Sequence, residues 1–436
     1  MLRFAPSPTG YLHVGNARIA ILNFLFAKKM NLKFILRLDD TDYERSSSKF
    51  SEAIKDDLLW LGINYDEVVK QSDRFNLYTE NSERLKSIGK VYACYETSEE
   101  LDLKRKIQLK MGKPPIYDRT ALQYTKQEIK NFQREGRKPH WRLKLDDNSI
   151  KWKDLVYKDI SFKNLSISDP VIIRSDETPL FTLTSVIDDI DLGISHILRG
   201  EDHITNTAAQ IKLFEYLDAD IPSFGHYPLL KNITGEGLSK RKNSLSLKDF
   251  RDLGIQPIVL INLLMKLGTS YTFDKVESVD DLKNNFIFEK FSKSSIFFNL
   301  EDLRVLNSKF LKKLDVKEIK SIINNDIPST VWEVIRNNIN SIDEILLWLG
   351  ILKDDFVNKR NEDDIEVLEA AKRCLPKYID NNTWSSWTKQ ISEITGKKGK
   401  RLYLPLRKNL TGKESGPEMN LILTLLGREK IIKRLK

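Results

Sequence analysis

The chain is expected to be a multidomain protein: a doubly wound α/β domain interrupted by an α+β insertion and followed by an all-helical C-terminal region. Three observations predict this. The first residues read as strand, tight turn and helix, from Leu2 and Phe4 through Pro6, Pro8 and Gly10 into NARIAILNFLFAKK. After a mixed stretch, a second strand and helix pattern returns at VIIRSDETPLFTLTSVIDDIDLGISHILRGEDH. From about Leu300 onward only helical spacing remains.

Composition limits the function classes. At 436 residues the chain has room for several domains and an ample core. Hydrophobic residues at 40% and charged residues at 31% describe a folded protein, not a disordered one. A net charge of +9 favours a polyanionic partner, while 62 intermixed acidic residues confine any RNA surface to a patch. Cys94 and Cys374 are the only cysteines, which excludes a disulfide framework and a Cys-rich zinc site and fits the cytoplasm. No charged segment leads into an apolar core at the N-terminus, and no apolar run is long enough to span a bilayer, so neither export nor a membrane is expected.

The opening turn places His13 and the Gly15 amide at the positive end of a helix, where a phosphate is favoured. Any strand-to-helix turn can use two prolines and two glycines. Arg3, Ser7 and His13 around this one, in a chain with only five histidines, tilt the reading toward phosphate binding. KFILRL (33–38) is a second buried strand, ending in Asp39, Asp40, Thr41 and Asp42. Such a strand end is a ligand position in doubly wound sheets, although DDTD also suits a solvated turn that caps the next segment. A helix capped by Ser48 follows, with Phe50, Ile54, Leu58 and Leu61 on one face and Gly62 ending it; another runs from Ser72 to about Ile88.

From Val91 short strands and a charged helix alternate to Ile173, the pattern of an insertion. Ile194 to Leu198 read as a strand whose end carries Arg199, Glu201, Asp202 and His203. Arg-Gly at a strand end can present a guanidinium to a carboxylate ligand; a structural ion pair with Asp188, Asp189 or Glu201 is the other option. Gly235 and Gly237 loosen a loop carrying Ser239, Lys240, Arg241 and Lys242, a phosphate-binding loop or simply a solvated basic one. Helices follow after Pro257, and the C-terminal stretch sets Lys397, Lys398, Lys400, Arg401, Arg407 and Lys408 around Tyr403, a combination suited to RNA. There is no GxxxxGK[ST], GxGxxG or HExxH motif and no internal repeat.

RFAPSPTGYLHVGNAR resembles the HIGH-motif region of class I aminoacyl-tRNA synthetases in the form found in bacterial glutamyl-tRNA synthetases, HVGN standing for HIGH. RLDDTD is similar to that family's Arg-x-Glu-Asp-Thr-Asp element, with Asp39 in place of Glu. HILRGEDHITNT resembles its strand-end motif, and Phe181 stands where many members have a Tyr. GLSKR is similar to the KMSKS loop, with Gly237 replacing the first basic residue, and the tail looks like the family's anticodon-binding end. The resemblance spans essentially the whole chain, most strongly over 3–45, 188–250 and 396–428.

The resemblance implies a Rossmann-type catalytic domain in two halves, 1–90 and 176–245. Between them lies a connective insertion at 91–175 that receives the tRNA acceptor end; a helical linking domain at 246–305 and a helical anticodon-binding region at 306–436 follow. It implies ATP-dependent activation of glutamate and transfer to tRNA(Glu), tRNA(Gln) or both, by a cytoplasmic monomer. Pro6, Pro8, Thr9, Gly10, His13, Gly15 and Asn16, with Gly237, Leu238, Ser239, Lys240 and Arg241, would bind ATP and its Mg²⁺, His13 and Lys240 being catalytic. Arg3, Ser7, Asp39, Phe181 and Arg199 would bind glutamate, and Lys398, Lys400, Arg401 and Arg407 would meet tRNA. Some relatives hold zinc in the insertion through several Cys and a His; with Cys94 alone there, no zinc is expected. Glutaminyl-tRNA synthetase is a poorer match, because APSPTG, Asp42 and a helical C-terminal third depart from it. A base-modifying glutamyl transferase would lack the C-terminal region. A non-catalytic tRNA-binding paralogue would explain the changes at Asp39, Phe181 and Gly237 but not the retention of Arg3, His13, Arg199 and Lys240.

Overall fold

The computed structural model describes all residues except 147, 164–166, 233, 236–244, 273–274, 354–361 and 436. It divides into two compact units, Met1–Phe250 with Leu260–Asn299, and Arg251–Val259 with Leu300–Lys436. Of the segment 246–305, expected to be a helical linking domain, residues 246–250 and 260–299 belong to the first unit.

The first unit begins with strand β1 (Leu2–Phe4), helix α1 (Val14–Lys29), β2 (Phe34–Leu38), α2 (Ser48–Trp60), β3 (Glu67–Lys70) and α3 (Phe75–Ser87). β1, β2 and β3 are parallel neighbours in that order, with Leu2 opposite Phe34 and Ile35 opposite Glu67. Every residue of β1 and β2 is buried, as parallel strands covered on both faces require. Ser47, one residue before the expected Ser48, caps α2 by accepting from the Phe50 amide, and Gly62 closes the helix at φ +69°. β3 was not anticipated, because three of its four residues are exposed and it carries no apolar run. α3 starts at Phe75 and not at Ser72, since Gln71–Asp73 is a short 3-10 turn.

The insertion contains β4 (Val91–Cys94), α4 (Ser98–Lys110), α5 (Lys126–Arg134), β5 (His140–Leu143), β6 (Ile150–Asp154), β7 (Lys158–Phe162) and β8 (Val171–Ile173). β4, β5 and β8 form one antiparallel sheet and β6 with β7 an antiparallel hairpin. The parallel pattern then resumes with α6 (Phe181–Asp191), β9 (His196–Gly200), α7 (Ile204–Tyr216) and β10 (Ser223–Tyr227). β9 and β10 are parallel, with Arg199 opposite His226. The Ser195 amide donates to the Met1 carbonyl at 3.0 Å, which lays the start of β9 alongside β1. β9 begins two residues later than the sequence suggested, so Arg199 lies within the strand and is held by it.

The second unit is helical among its described residues: Leu300–Lys313, Val316–Ile323, Ser329–Ile335, Ile342–Lys353, Ile365–Arg373, Thr383–Thr395, Lys400–Thr411 and Met419–Arg434. Its core gathers Trp332, Trp387, Ile391, Leu406, Ile422 and Leu423. Both indoles satisfy their polar edge, Trp332 on the Leu314 carbonyl and Trp387 on the Ala371 carbonyl at 2.9 Å. Replacing Trp387 with Ala should lower the stability of the helical unit by about 3–5 kcal/mol in urea unfolding followed by circular dichroism. Tyr378→Ala, at a side chain left 79% exposed, should change it by less than about 0.5 kcal/mol.

Candidate active site

A cleft of about 260 Å³ opens at the carboxyl ends of β1 and β9, the position where doubly wound sheets take ligands. Pro6, His13 and Asn16 line it on the side of α1, and Arg3, Phe181 and Arg199 on the side of β9 and α6.

His13 is the N-cap of α1. Its Nδ1 accepts from the Gly15 amide at 3.0 Å and from the Asn16 amide at 3.4 Å, and the Asn16 side chain reaches back to the His13 amide. An imidazole that accepts at Nδ1 carries its proton on Nε2. Burial lowers the His13 pKa, so the ring is neutral near pH 7. The sequence suggested that the Gly15 amide itself would face a phosphate. The amide is instead turned onto His13, and the outward donor is the Nε2 proton. Gly15 is required here, because a Cβ would lie 2.8 Å from His13 Cε1 and 2.9 Å from Nδ1.

Arg3 and Arg37 converge on one carboxylate. Arg3 Nε and Nη2 donate to the two oxygens of Asp189 at 2.9 and 3.3 Å, and Arg37 Nη1 donates to Asp189 Oδ1 at 2.8 Å. Burial works against charge on Asp189, but the two guanidinium groups outweigh it and hold its carboxyl below the usual range. Arg37 also grips Asp39 with Nε at 2.7 Å and Nη2 at 3.2 Å. Asp39, expected to serve a substrate ammonium, is therefore committed to Arg37 and lies outside the cleft lining. The side chain one methylene shorter than Glu folds back onto its own strand. Asp188 is occupied as well, accepting from Gln71, Arg74 and Tyr78.

Arg199 is treated differently. It is buried, yet it pairs with no carboxylate among the described residues, so the alternative of a structural ion pair does not hold. Nη2 donates to Thr207 Oγ1 and Gln210 Oε1, both at 2.6 Å, and Nε approaches His226 Nε2 at 3.4 Å. Nη1 has no partner among the described residues. Burial, with Arg3 nearby, brings the Arg199 pKa down to about 9, which leaves it protonated near neutrality. A buried cation held by neutral groups, with one nitrogen unsatisfied on a cleft residue, has the chemistry to receive an anion.

Phe181 lies in the cleft wall with its ring centroid 5.3 Å from that of His203. Ser7 and Thr9 are exposed, Pro8 is buried, and with Gly10 they shape the turn without lining the cleft. Gly237, Leu238, Ser239, Lys240 and Arg241 lie outside the described residues. Their flanks are informative: Leu230 lines the cleft, and past the gap Ser246 bridges to His13 while the Leu247 amide donates to the Leu12 carbonyl at 2.9 Å. Sequence reasoning missed Arg37 and Arg18, both cleft residues. Arg18, in α1, is buried and donates to the carbonyls of Pro228, Leu264 and Leu267. An arginine inside an apolar helix face was the available signal. In the C-terminal unit Lys398, Lys400 and Arg401 are exposed, whereas Arg407 is half-buried and donates to the Pro417 carbonyl at 3.0 Å.

Two predictions follow from these geometries. Asn at an N-cap can replace the acceptor but not the outward proton, so His13→Asn should keep the melting temperature within about 2 °C. The same change should cut turnover by about a hundredfold. Asp189→Asn leaves buried Arg3 without its carboxylate and Arg37 with Asp39 as its remaining close partner, and should cost about 3–5 kcal/mol near pH 7. Because the native carboxyl is held low, its contribution is present above about pH 4 and disappears on further acidification. Wild-type and variant unfolding energies should therefore converge in acid.

The chain matches the family of class I tRNA synthetases (E and Q), catalytic domain, over residues 1–305, and an anticodon binding domain over residues 308–436. It is 45% identical to glutamate--tRNA ligase 1 of Maricaulis maris over 438 residues, covering 100% of this chain and 98% of the relative. It is 45% identical over 451 residues to glutamate--tRNA ligase 2 of Bartonella henselae, with the same coverage. A glutamate tRNA ligase from Elizabethkingia meningosepticum, solved in complex with its amino acid, shares the fold with a TM-score of 0.79 at 23% identity, covering 100% of this chain and 98% of that one. With both domains matched and relatives aligned from end to end, the chain belongs to the class I aminoacyl-tRNA synthetases of the glutamate and glutamine branch, among the glutamate--tRNA ligases.

Proposed function

We infer that this chain activates L-glutamate with ATP and transfers it to the 3′-terminal adenosine of tRNA(Glu). The observation that carries the reading is the unsatisfied Arg199 nitrogen in the same cleft as the outward proton of His13. One is a carboxylate receptor and the other a phosphate donor. Adenylate formation needs little else from the protein besides alignment.

In the first step an oxygen of the substrate α-carboxylate attacks the α-phosphorus, the bond to the β-phosphate oxygen breaks, and pyrophosphate departs. His13 donates from Nε2 to the phosphates, and Lys240 meets the charge that accumulates on pyrophosphate. Mg²⁺ arrives as part of the ATP complex. Leu230, before the gap at 236–244, lines the cleft and Ser246, after it, pairs with the cleft residue His13, which supports a role for Lys240 there. In the second step a ribose hydroxyl attacks the adenylate carbonyl and AMP leaves, with no covalent enzyme intermediate. Arg199 takes one carboxylate of glutamate. At whichever arginine takes the side-chain carboxylate, a neutral amide forfeits a charge-assisted bond, so glutamine is disfavoured by about tenfold or more.

The insertion residues do not fit a zinc set. Cys94 is buried, with its thiol pushed up to about 12 by burial. Glu96 accepts from Tyr117 at 2.6 Å, and the Arg142 guanidinium lies 4.0 Å from the Tyr117 ring. Among the described residues no group of three or more His, Cys, Asp or Glu could hold a metal. No described helix is long and apolar enough to cross a membrane, and a cytoplasmic monomer suits the role. The exposed Lys398, Lys400 and Arg401, beside Tyr403 and its neighbour Trp384 at 6.0 Å, suit contact with tRNA.

Aminoacylation of purified tRNA(Glu) and tRNA(Gln) with labelled glutamate or glutamine tests the reading. Glutamate on tRNA(Glu), with Lys240→Ala reduced about a hundredfold, is expected. Glutamate on tRNA(Gln) as well would extend the activity to a product that needs later amidation. Binding of both tRNAs without charging either would contradict it.

A further inference from the structure

The way Arg199 is buried points to residues that act on the substrate through it. Arg199 and His226 are opposite each other in the parallel register of β9 and β10, so their side chains share one face. Thr207, one turn into α7, inserts between them: its Oγ1 is 2.6 Å from Arg199 Nη2 and 2.8 Å from His226 Nε2. On the other side of the ring His226 Nδ1 is 2.6 Å from Asp154 Oδ2. Asp154 ends β6 in the insertion hairpin, and its Oδ1 accepts from the amides of Val156, Tyr157 and His226 at 2.9, 2.9 and 3.2 Å. Asp154, Thr207 and His226 are all essentially solvent-free.

The donors and acceptors fix the direction of this chain at its Asp154 end. A carboxylate held by three amides can only accept, so Nδ1 of His226 carries the proton and Nε2 accepts. Nε2 then has two donors in reach, Arg199 Nε at 3.4 Å and the Thr207 hydroxyl at 2.8 Å. The same hydroxyl also has the His203 carbonyl at 3.1 Å as an acceptor. With its proton on either one, the Thr207 oxygen offers a lone pair to Arg199 Nη2. Burial lowers the His226 pKa, which keeps the ring in this neutral form, while His226 and the amides hold Asp154 ionised against burial. The guanidinium is thus linked to a buried anion through two neutral groups. A direct ion pair would have occupied the planar fork. This arrangement stabilises the cation and leaves Nη1, on a residue of the cleft lining, without a partner among the described residues.

We propose that Asp154, His226 and Thr207 form a positioning relay for Arg199, which fixes the guanidinium so that its remaining nitrogen receives a carboxylate of the amino-acid substrate. The proposal rests on the reading that Arg199 binds substrate carboxylate. None of the three relay residues belongs to the cleft lining, so each acts only through Arg199.

Steady-state aminoacylation of tRNA(Glu) by the full chain, with KM measured separately for glutamate and ATP, tests this. Thr207→Val removes the hydroxyl at nearly constant shape and Asp154→Asn removes the terminal charge. Each should raise the glutamate KM about tenfold while the ATP KM stays within about twofold. Thr207→Ser keeps the hydroxyl and should stay near wild type. If Asp154→Asn does not fold, the Val and Ser pair at 207 decides alone. Arg199→Gln separates the two claims. If it raises the glutamate KM and Thr207→Val does not, the relay is overturned while the role of Arg199 stands. If Arg199→Gln leaves the glutamate KM unchanged, the carboxylate reading fails and the relay falls with it. Equal rises in both KM values for Thr207→Val would mean general loosening of the site and would also overturn the relay.

Discussion

The catalytic unit depends on one buried carboxylate. Asp189 comes from α6, and it binds Arg3 of β1 and Arg37 of β2, residues separated from it by 186 and 152 positions. The insertion falls between those positions, so this contact joins the two halves of the interrupted α/β domain. It also sets the charge state of the cleft floor. With Asp189 shared between two arginines and Asp39 closing on Arg37, the positive charges on β1 and β2 are largely compensated. Among the described residues that leaves two cleft arginines without a carboxylate, Arg18 on backbone carbonyls and Arg199 with one nitrogen unpartnered.

Three arginines at the same cleft therefore illustrate three ways to bury a guanidinium. Arg37 is fully paired and serves the frame. Arg18 is spread over three backbone carbonyls and fixes α1 to the chain that passes behind the cleft. Arg199 is held by a threonine, a glutamine and a histidine, none of them charged near pH 7. Only the last arrangement stores an unmet interaction. Removing that charge from water is unfavourable in the empty protein, and a carboxylate ligand relieves it. On the proposed reading, substrate binding would complete a network that folding leaves open.

Much of this was readable from the chain, for reasons that can be named. Pro6, Pro8, Gly10 and the helix after His13 give a turn whose chemistry is local, so its form and position were legible. The buried strands Leu2–Phe4 and Phe34–Leu38 were legible because apolar residues dominate both, Leu2 and Phe4 around Arg3, and Phe34, Ile35, Leu36 and Leu38 around Arg37. Phe181 lines the cleft where a wall was expected, and Arg199 reaches it at a strand end. What failed was pairing at a distance. Nothing local distinguishes Asp39, whose oxygens are taken by Arg37, from a carboxylate left open to ligand. Nothing local links Asp154 to His226 across 72 residues. The strand Glu67–Lys70 was missed because its pairing with Phe34–Leu38, not its own apolarity, makes it a strand.

A crystal structure of the protein with L-glutamate alone tests the central claim most directly. The account predicts a substrate carboxylate oxygen within about 3.2 Å of Arg199 Nη1, with Asp189 still bridging Arg3 and Arg37 and Thr207 still seated on His226. A glutamate bound elsewhere in the cleft with Arg199 Nη1 still unpaired, or an Arg199 that has swung onto Asp189 or Asp202, would contradict it.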